Sequence, residues 1–327
     1  GLGDVYKRQA GEMPMSVAND PKSPMYIPDE NRKIARERAA ERKSRIKGYL
    51  DVRDSIPTGT NRREMTEKSK ARILEVLGGT ADDWNDHLWH ISNVIKDTGT
   101  LSRILDLNDE ETGEIEKAAA LCRWAVSPYY ASLIDPSDRS CPIYSQSIPT
   151  SEEYIAGGTE DHYAIKYNSP APLITRLYPD RLIINVTNIC AMFCRHCLRK
   201  KDISSKDMIY PKDDVRAALD YVAESPEIRD VLLTGGDALA LSDDYLDWIL
   251  GELDDIDHVE IKRLGSRMLA TLPQRVTPEL CSMLARHKPV YLNTQFNSPM
   301  EITPEAEDAV DRLIGAGVVI GNQSVLL

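Results

Sequence analysis

No run in the 327-residue sequence comes near the roughly 18 to 20 uninterrupted apolar residues of a membrane-spanning helix. The N-terminus also lacks the apolar centre of a secretory signal. Basic residues are outnumbered, with 40 Lys and Arg against 52 Asp and Glu and a formal charge of −12. That balance excludes a general nucleic-acid binder, which needs a basic face to release counterions. A small-molecule partner fits better. Cysteine is sparse, six in the whole chain, and scattered, which excludes a disulfide framework; with no export signal, a reducing cytoplasm is expected. Solenoid-type repeats and low-complexity tracts are missing too. What the chain does have is 42% hydrophobic residues, enough to give one large or two ordinary domains a substantial core.

The opening GLGDVYKRQA joins poorly to the residues after it, and residues 1–12 are set aside as a non-native leader. Residues 13–165 read as a mainly α-helical region. A charged run over 30–50, with Ile34, Ile46 and Leu50 as sparse anchors, suits a solvated or subunit-contact helix. A helix over 62–77 is predicted to stop at Gly78 and Gly79, another follows Thr80 as N-cap through Ile95, and a third covers 111–126. Prolines crowd 136–181, where the domain boundary is placed.

From 182 the rhythm changes to β-branched runs alternating with amphipathic stretches. Strands are predicted at 182–187, 230–234, 258–264, 289–294 and 318–323, with helices near 212–224, 242–253, 278–287 and 304–315. Thr277-Pro278 and Thr303-Pro304 are helix starts. Polar and glycine residues collect after every strand, as they do where barrel enzymes build their sites, so residues 166–327 are predicted to form a (β/α) barrel or an arc of one rather than a doubly wound sheet.

The first of those post-strand loops holds Cys190, Cys194 and Cys197 within eight residues. A closed structural zinc site takes four protein ligands, and disulfides take cysteines in pairs. Three thiolates instead suit a [4Fe-4S] cluster with one iron left open. A zinc site completed by His196 or a distant cysteine, and cysteines without metal, remain alternatives. Cys122, Cys141 and Cys281 read as ordinary buried thiols.

The spacing Cys190-AMF-Cys194-RH-Cys197 resembles the signature of the radical S-adenosylmethionine (SAM) superfamily. The stretches YPDRLIINVTNICAMFCRHC, DVLLTGGDAL, LPQRVTPELC, NTQFN and GVVIGNQSVLL together are similar to the amino-acid 2,3-aminomutase family. IPTG at 56–59, LGGTADDW at 77–84, SPYYASL at 127–133 and Gln295 resemble its glutamate branch. The resemblance implies an α/β fold, a partial radical SAM barrel preceded by a mainly α-helical N-terminal region. It implies an isomerase moving the α-amino group of an amino acid, best L-glutamate to β-glutamate, from C2 to C3 through a 5'-deoxyadenosyl radical and a pyridoxal phosphate (PLP) aldimine. The implied cofactors are a [4Fe-4S] cluster, SAM and PLP; the implied partners are the amino acid, a flavodoxin or ferredoxin as electron donor, and further copies of the chain. No nucleic acid or membrane is expected.

The resemblance also assigns residues. Cys190, Cys194 and Cys197 would hold the cluster, with His196 beside SAM's adenine. Arg199 would clamp the substrate carboxylate with its planar fork. Gly235, Gly236 and Asp237 would contact SAM's methionyl end, with the glycines admitting close approach; Gln295 and Gln323 would line the SAM and PLP pocket, and Arg181 would meet the PLP phosphate. Against the pattern, Leu177 stands where relatives put a second phosphate-binding arginine and Met268-Leu269 replaces Thr-Pro. The sequence stops at Leu327, before the expected PLP lysine and side-chain-reading residues, so a fragment unable to complete the cycle is expected. Lysine 2,3-aminomutase on free or protein lysine, a radical SAM enzyme without PLP, and a zinc-stabilised non-catalytic module are the alternatives.

Overall fold

The computed structural model describes residues 20–151, 161, 164–203 and 206–326; the expected leader lies outside them. The chain divides into two compact units, one ending at Ile56 and one starting at Pro57. In the first, helices Asp29–Arg45 and Lys47–Val52 bury no residue. Asp29 and Glu30 at the start of the longer helix and Arg42, Lys43 and Arg45 at its end complement its dipole.

The second unit has two main hydrophobic cores. Helices Arg63–Leu77, Thr98–Leu105, Asp109–Ala119 and Pro128–Ser132 surround one that includes Trp84, Leu101, Ile115 and Tyr130. Met192 and Met300, which lie in barrel loops, pack into the same core. The helical stretch from Pro57 and the barrel therefore belong to one compact unit.

Two expected helices are shorter than drawn. After Thr80 the chain makes only a 3-10 turn over Asp83–Asn85, because Asp86 adopts extended backbone and accepts from Leu88 N at 2.8 Å, restarting the helix as His87–Ser92. The helix expected to reach 126 starts from a capping box between Asn108 and Glu111 and ends at Ala119. Val126 instead bridges Ile95 through paired backbone hydrogen bonds of 2.9 Å.

The barrel carries the second core. Its strands are β1 Ile174–Thr175, β2 Arg181–Thr187, β3 Asp230–Gly235, β4 Ile261–Gly265, β5 Val290–Thr294 and β6 Val319–Asn322. They lie side by side in chain order, with β1 antiparallel to β2 and every later pairing parallel. A doubly wound sheet would reverse direction at a switch point; unbroken order makes an arc of a barrel. β4 starts at Ile261 rather than 258, because His258 is tied to Val222 O at 3.0 Å in the preceding turn. The short β1 has no counterpart among the expected strands, two residues being too few for a periodic signal.

Alternation along the strands separates the two faces. On β2, Leu182, Ile184 and Val186 are buried in the barrel core. That core also takes Val215, Ala218, Leu219 and Val222 from helix Lys212–Ala223, spaced to fall on one helical face. Helices Asp243–Asp254, Pro278–Leu284 and Pro304–Gly315 complete the outer layer. Ser242, Thr277 and Thr303 cap them through side-chain oxygens. The other strand face, with Leu232, Thr234, Gly265 and Asn293, is left to line a cavity.

Candidate functional site

The cavity measures about 290 Å³ and opens at the carboxyl ends of the strands, the working end of barrel enzymes. The structure brings together there Cys190, Cys194, His196, Cys197 and Arg199 from the loop after β2. Gly235, Gly236 and Asp237 join them after β3, Gln295 after β5 and Gln323 after β6. The three other cysteines lie apart and unbridged, with Cys141 buried and Cys122 and Cys281 partly so.

Neighbouring backbone holds the cysteine loop from both sides. Phe193 N donates to Ala125 O at 2.9 Å and Arg195 N to Gln146 O at 2.8 Å, so Cys194 is bracketed by two bonds to the helical segment. Met192 is buried in the helical core, and the guanidinium of Arg123 sits 4.9 Å from the Phe193 ring centre. At the loop's base, buried Asn188 accepts from Met208 N at 2.7 Å and donates to Lys206 O at 3.1 Å, closing the excursion that carries the cysteines.

On the other side lies the glycine turn. Gly236 N donates to Thr187 O at 2.5 Å and Asp237 N to Ile189 O at 2.8 Å. A side chain at Gly235 would start 2.4 Å from Thr187 O, and one at Gly236 would start 2.3 Å from Ile189 O; Gly235 also has a φ of +117°. Gly235 is thus required by its φ and the approach of strand β2, and Gly236 by the approach of the cysteine loop. Asp237 is buried and spends its carboxylate on backbone, accepting from Leu239 N at 2.9 Å and Arg267 N at 2.7 Å. It braces three loops.

The electrostatics follow from burial. Desolvation pushes the Cys190 thiol well up, with the Asp237 charge and the other two cysteines adding to the effect; burial also raises Cys197. Three thiolates there need a cation centre to replace their protons. Among the described residues no three Cys, His, Asp or Glu side chains converge on a single ion. The three thiols line the wall of one cavity instead, an arrangement suited to a cluster in which each thiolate takes a different iron. His196 is lowered to about 4, first by burial and then by the Arg267 charge, so its imidazole is neutral. It lies beside Gln295, yet neither buried ring nitrogen has a hydrogen-bond partner among the described residues. The half-buried thiols and this unpartnered imidazole fit a cluster with a polar ligand beside it.

Arg199 lines the cavity, its Nη1 donating to Gly235 O at 3.3 Å and its backbone N to Cys197 Sγ at 3.3 Å. Arg181 is not brought there. It starts β2 at the opposite end from the cysteines, pairs with Asp180 at 3.2 Å and lies over the Tyr178 ring. Arg176 is taken up by Glu227 and the Tyr221 hydroxyl, both at 2.7 Å, and Leu177 is exposed. Met268 and Leu269 are fully buried in the short helix Met268–Thr271, filling barrel core.

Sequence reasoning assigned no role to Arg267. It lines the cavity from the loop after β4 and donates to Cys194 Sγ at 3.0 Å. Its Nη2 reaches Glu301 at 2.5 Å and Tyr130 at 3.2 Å, and also Gln146. The Gly-Ser-Arg run after β4 was the available signal; lone polar residues in distant segments gave none for its partners.

Comparison with known proteins agrees with this geometry. Residues 184–319 match the radical SAM superfamily. The glutamate 2,3-aminomutase of Clostridioides difficile is 50% identical over 300 residues, covering 91% of this chain and 71% of that protein. L-lysine 2,3-aminomutases of Fusobacterium nucleatum and Methanococcus maripaludis are each 45% identical, over 76% and 80% of this chain. The chain spans 59% and 63% of the length of those two. Similarity of this depth, over a barrel whose strand ends gather three cysteines into one cavity, places the chain in the radical SAM amino-acid 2,3-aminomutase family.

Proposed function

We propose that this chain provides the radical-generating core of an amino-acid 2,3-aminomutase acting on L-glutamate. The observation that carries the proposal is the cavity at the strand ends with three cysteine thiols in its wall. When bound, the cluster, SAM and PLP supply one-electron cleavage of a sulfonium and an electron sink for a migrating nitrogen.

In this reading Cys190, Cys194 and Cys197 would each hold one iron, and neutral His196 would flank SAM's adenine. The Gly235-Gly236-Asp237 turn, held by Asp237, would lie under its methionyl end. Among the described residues the Arg199 side chain donates to Gly235 O through Nη1, and the rest of its fork is suited to a substrate carboxylate. Gln295 and Gln323 complete the wall. Buried Phe193 and Met192 seal the loop from behind, limiting water around a reactive radical. Glutamate is favoured over lysine by the 50% against 45% identities. A flavodoxin- or ferredoxin-type donor, a cytoplasmic setting and self-association belong to the same proposal; exposed Ile34, Ile46, Tyr49 and Leu50 on the first unit support the last.

The test is iron, sulfide and zinc content after anaerobic reconstitution, with electron paramagnetic resonance (EPR) of the reduced protein with and without SAM. About four irons per chain and a SAM-altered signal are expected; stoichiometric zinc without a SAM response would remove the radical reading. Anaerobic incubation of the product of the completed gene with SAM, PLP, dithionite and either amino acid then tests the substrate. β-Lysine without β-glutamate would overturn that choice.

A further inference from the structure

The guanidinium of Arg267 is a buried charge set directly against one of the three cysteines. Its side chain is 8% exposed and Glu301 is 0% exposed. One edge of the fork faces the metal site, with Nη1 donating to Cys194 Sγ at 3.0 Å. The other edge is held by Glu301, Tyr130 and Gln146, and Nε donates to Gln295 O at 3.2 Å. Glu301 is fixed in turn, since its second oxygen accepts from Asn297 N at 2.6 Å and Ser298 N at 3.2 Å. The Tyr130 hydroxyl donates to its first oxygen at 2.5 Å. The pair therefore forms an oriented dipole with its positive end on Cys194.

A buried ion pair adds little net stability compared with well-packed apolar residues. The same charge beside a redox centre acts directly, because net charge and hydrogen bonds to the sulfurs set cluster potentials. We propose that Arg267 raises the reduction potential of the cluster through Cys194, that Glu301 limits the rise, and that Tyr130 and Gln146 of the helical segment are positioning residues for the guanidinium. The inference rests on the reading that the cysteines carry a [4Fe-4S] cluster. The step it concerns adds one electron, from a low-potential one-electron donor such as dithionite, and makes or breaks no bond. Reduction makes the cluster more negative by one charge, so a positive group at Cys194 favours the reduced form. Arg199 N also donates to a cysteine sulfur, but that backbone group carries no charge, and the Arg199 side chain turns to Gly235 O.

The experiment is an EPR-monitored redox titration of the reconstituted chain and of Arg267→Gln, Arg267→Lys and Glu301→Gln, with iron content and circular dichroism measured on each. Arg267→Gln is expected to lower the reduced-to-oxidised ratio at a fixed potential about tenfold, a downward shift of about 59 mV for one electron. Glu301→Gln is expected to shift the midpoint upward, and Arg267→Lys to fall between wild type and Arg267→Gln. A merely structural role would not give opposite signs for the two halves of one ion pair. Should Arg267→Gln not fold, the upward shift in Glu301→Gln and the downward shift in Arg267→Lys carry the test. Iron-replete variants with unmoved midpoints, or with both substitutions shifting the same way, would overturn the inference alone. A wild-type chain lacking about four irons would overturn the cluster reading beneath it.

Discussion

Replacing Gly236 with alanine probes how two loops hold each other. The new Cβ would lie 2.3 Å from Ile189 O and 2.7 Å from both Asn188 C and Ile189 N. All three are backbone atoms, so no side-chain end can swing aside. The loops are also joined by the bonds from Gly236 N to Thr187 O and from Asp237 N to Ile189 O. Relieving the overlap costs about 1–3 kcal/mol as overpacking, and parting the loops forfeits about 1 kcal/mol for each bond. A total loss of roughly 3–5 kcal/mol is expected, together with loss of iron, because the cysteine loop is the part displaced. Gly113 is the control: it sits inside helix Asp109–Ala119 with nothing within 4 Å of a built Cβ. Alanine there is expected to stabilise by about 1 kcal/mol through helix propensity. Urea unfolding gives both differences, and iron per chain after reconstitution gives the functional one. A Gly236→Ala protein with wild-type midpoint and full iron would refute the packing argument.

Three further perturbations concern groups outside the cavity. His90 is fully buried between Trp84 and Trp89, and desolvation lowers its pKa from 6.5 to about 4. The unfolded chain binds the proton first, so stability is full above about pH 6.5 and falls by about 3 kcal/mol as pH drops to about 4. Urea midpoints at pH 7.5 and 5 should show that slope in wild type and a shallower one in His90→Asn; equal slopes would count against it. Arg275 is buried and donates to Leu239 O at 2.8 Å, Leu241 O at 3.0 Å and Asp243 at 2.6 Å. Arg275→Leu strands those acceptors and is expected to cost about 3 kcal/mol, read from the unfolding midpoint. Asn108→Ala removes one half of a capping box and should cost about 1 kcal/mol in the same assay, with no change in iron content.

What was legible in the sequence was what is local. The helix over Pro304–Gly315 was readable because its cap, its proline and its buried Ala306, Ala309 and Leu313 fall within one element. The cysteines were readable because they share one loop. The helix ends at Ala119 and Asp86 were not, since each depends on a competing partner: Val126 pairs across to Ile95, and the Asp86 side chain accepts from Leu88 N. The same contrast runs through the site. Tyr130 and Glu301 are 171 residues apart in the chain, and Gln146 and Arg267 are 121 apart; nothing in either neighbourhood signals the other. Arg181 is the converse case. Its sequence allowed both a phosphate contact and an ion pair with Asp180, and the structure shows the ion pair. Six steps from Arg181 to Thr187 span roughly 20 Å at about 3.3 Å each, so one end of the strand meets the cysteines and the other meets Asp180. Residue type alone could nominate Arg181, whereas it is the order of the strands that delivers Arg267 to the rim beside Cys194.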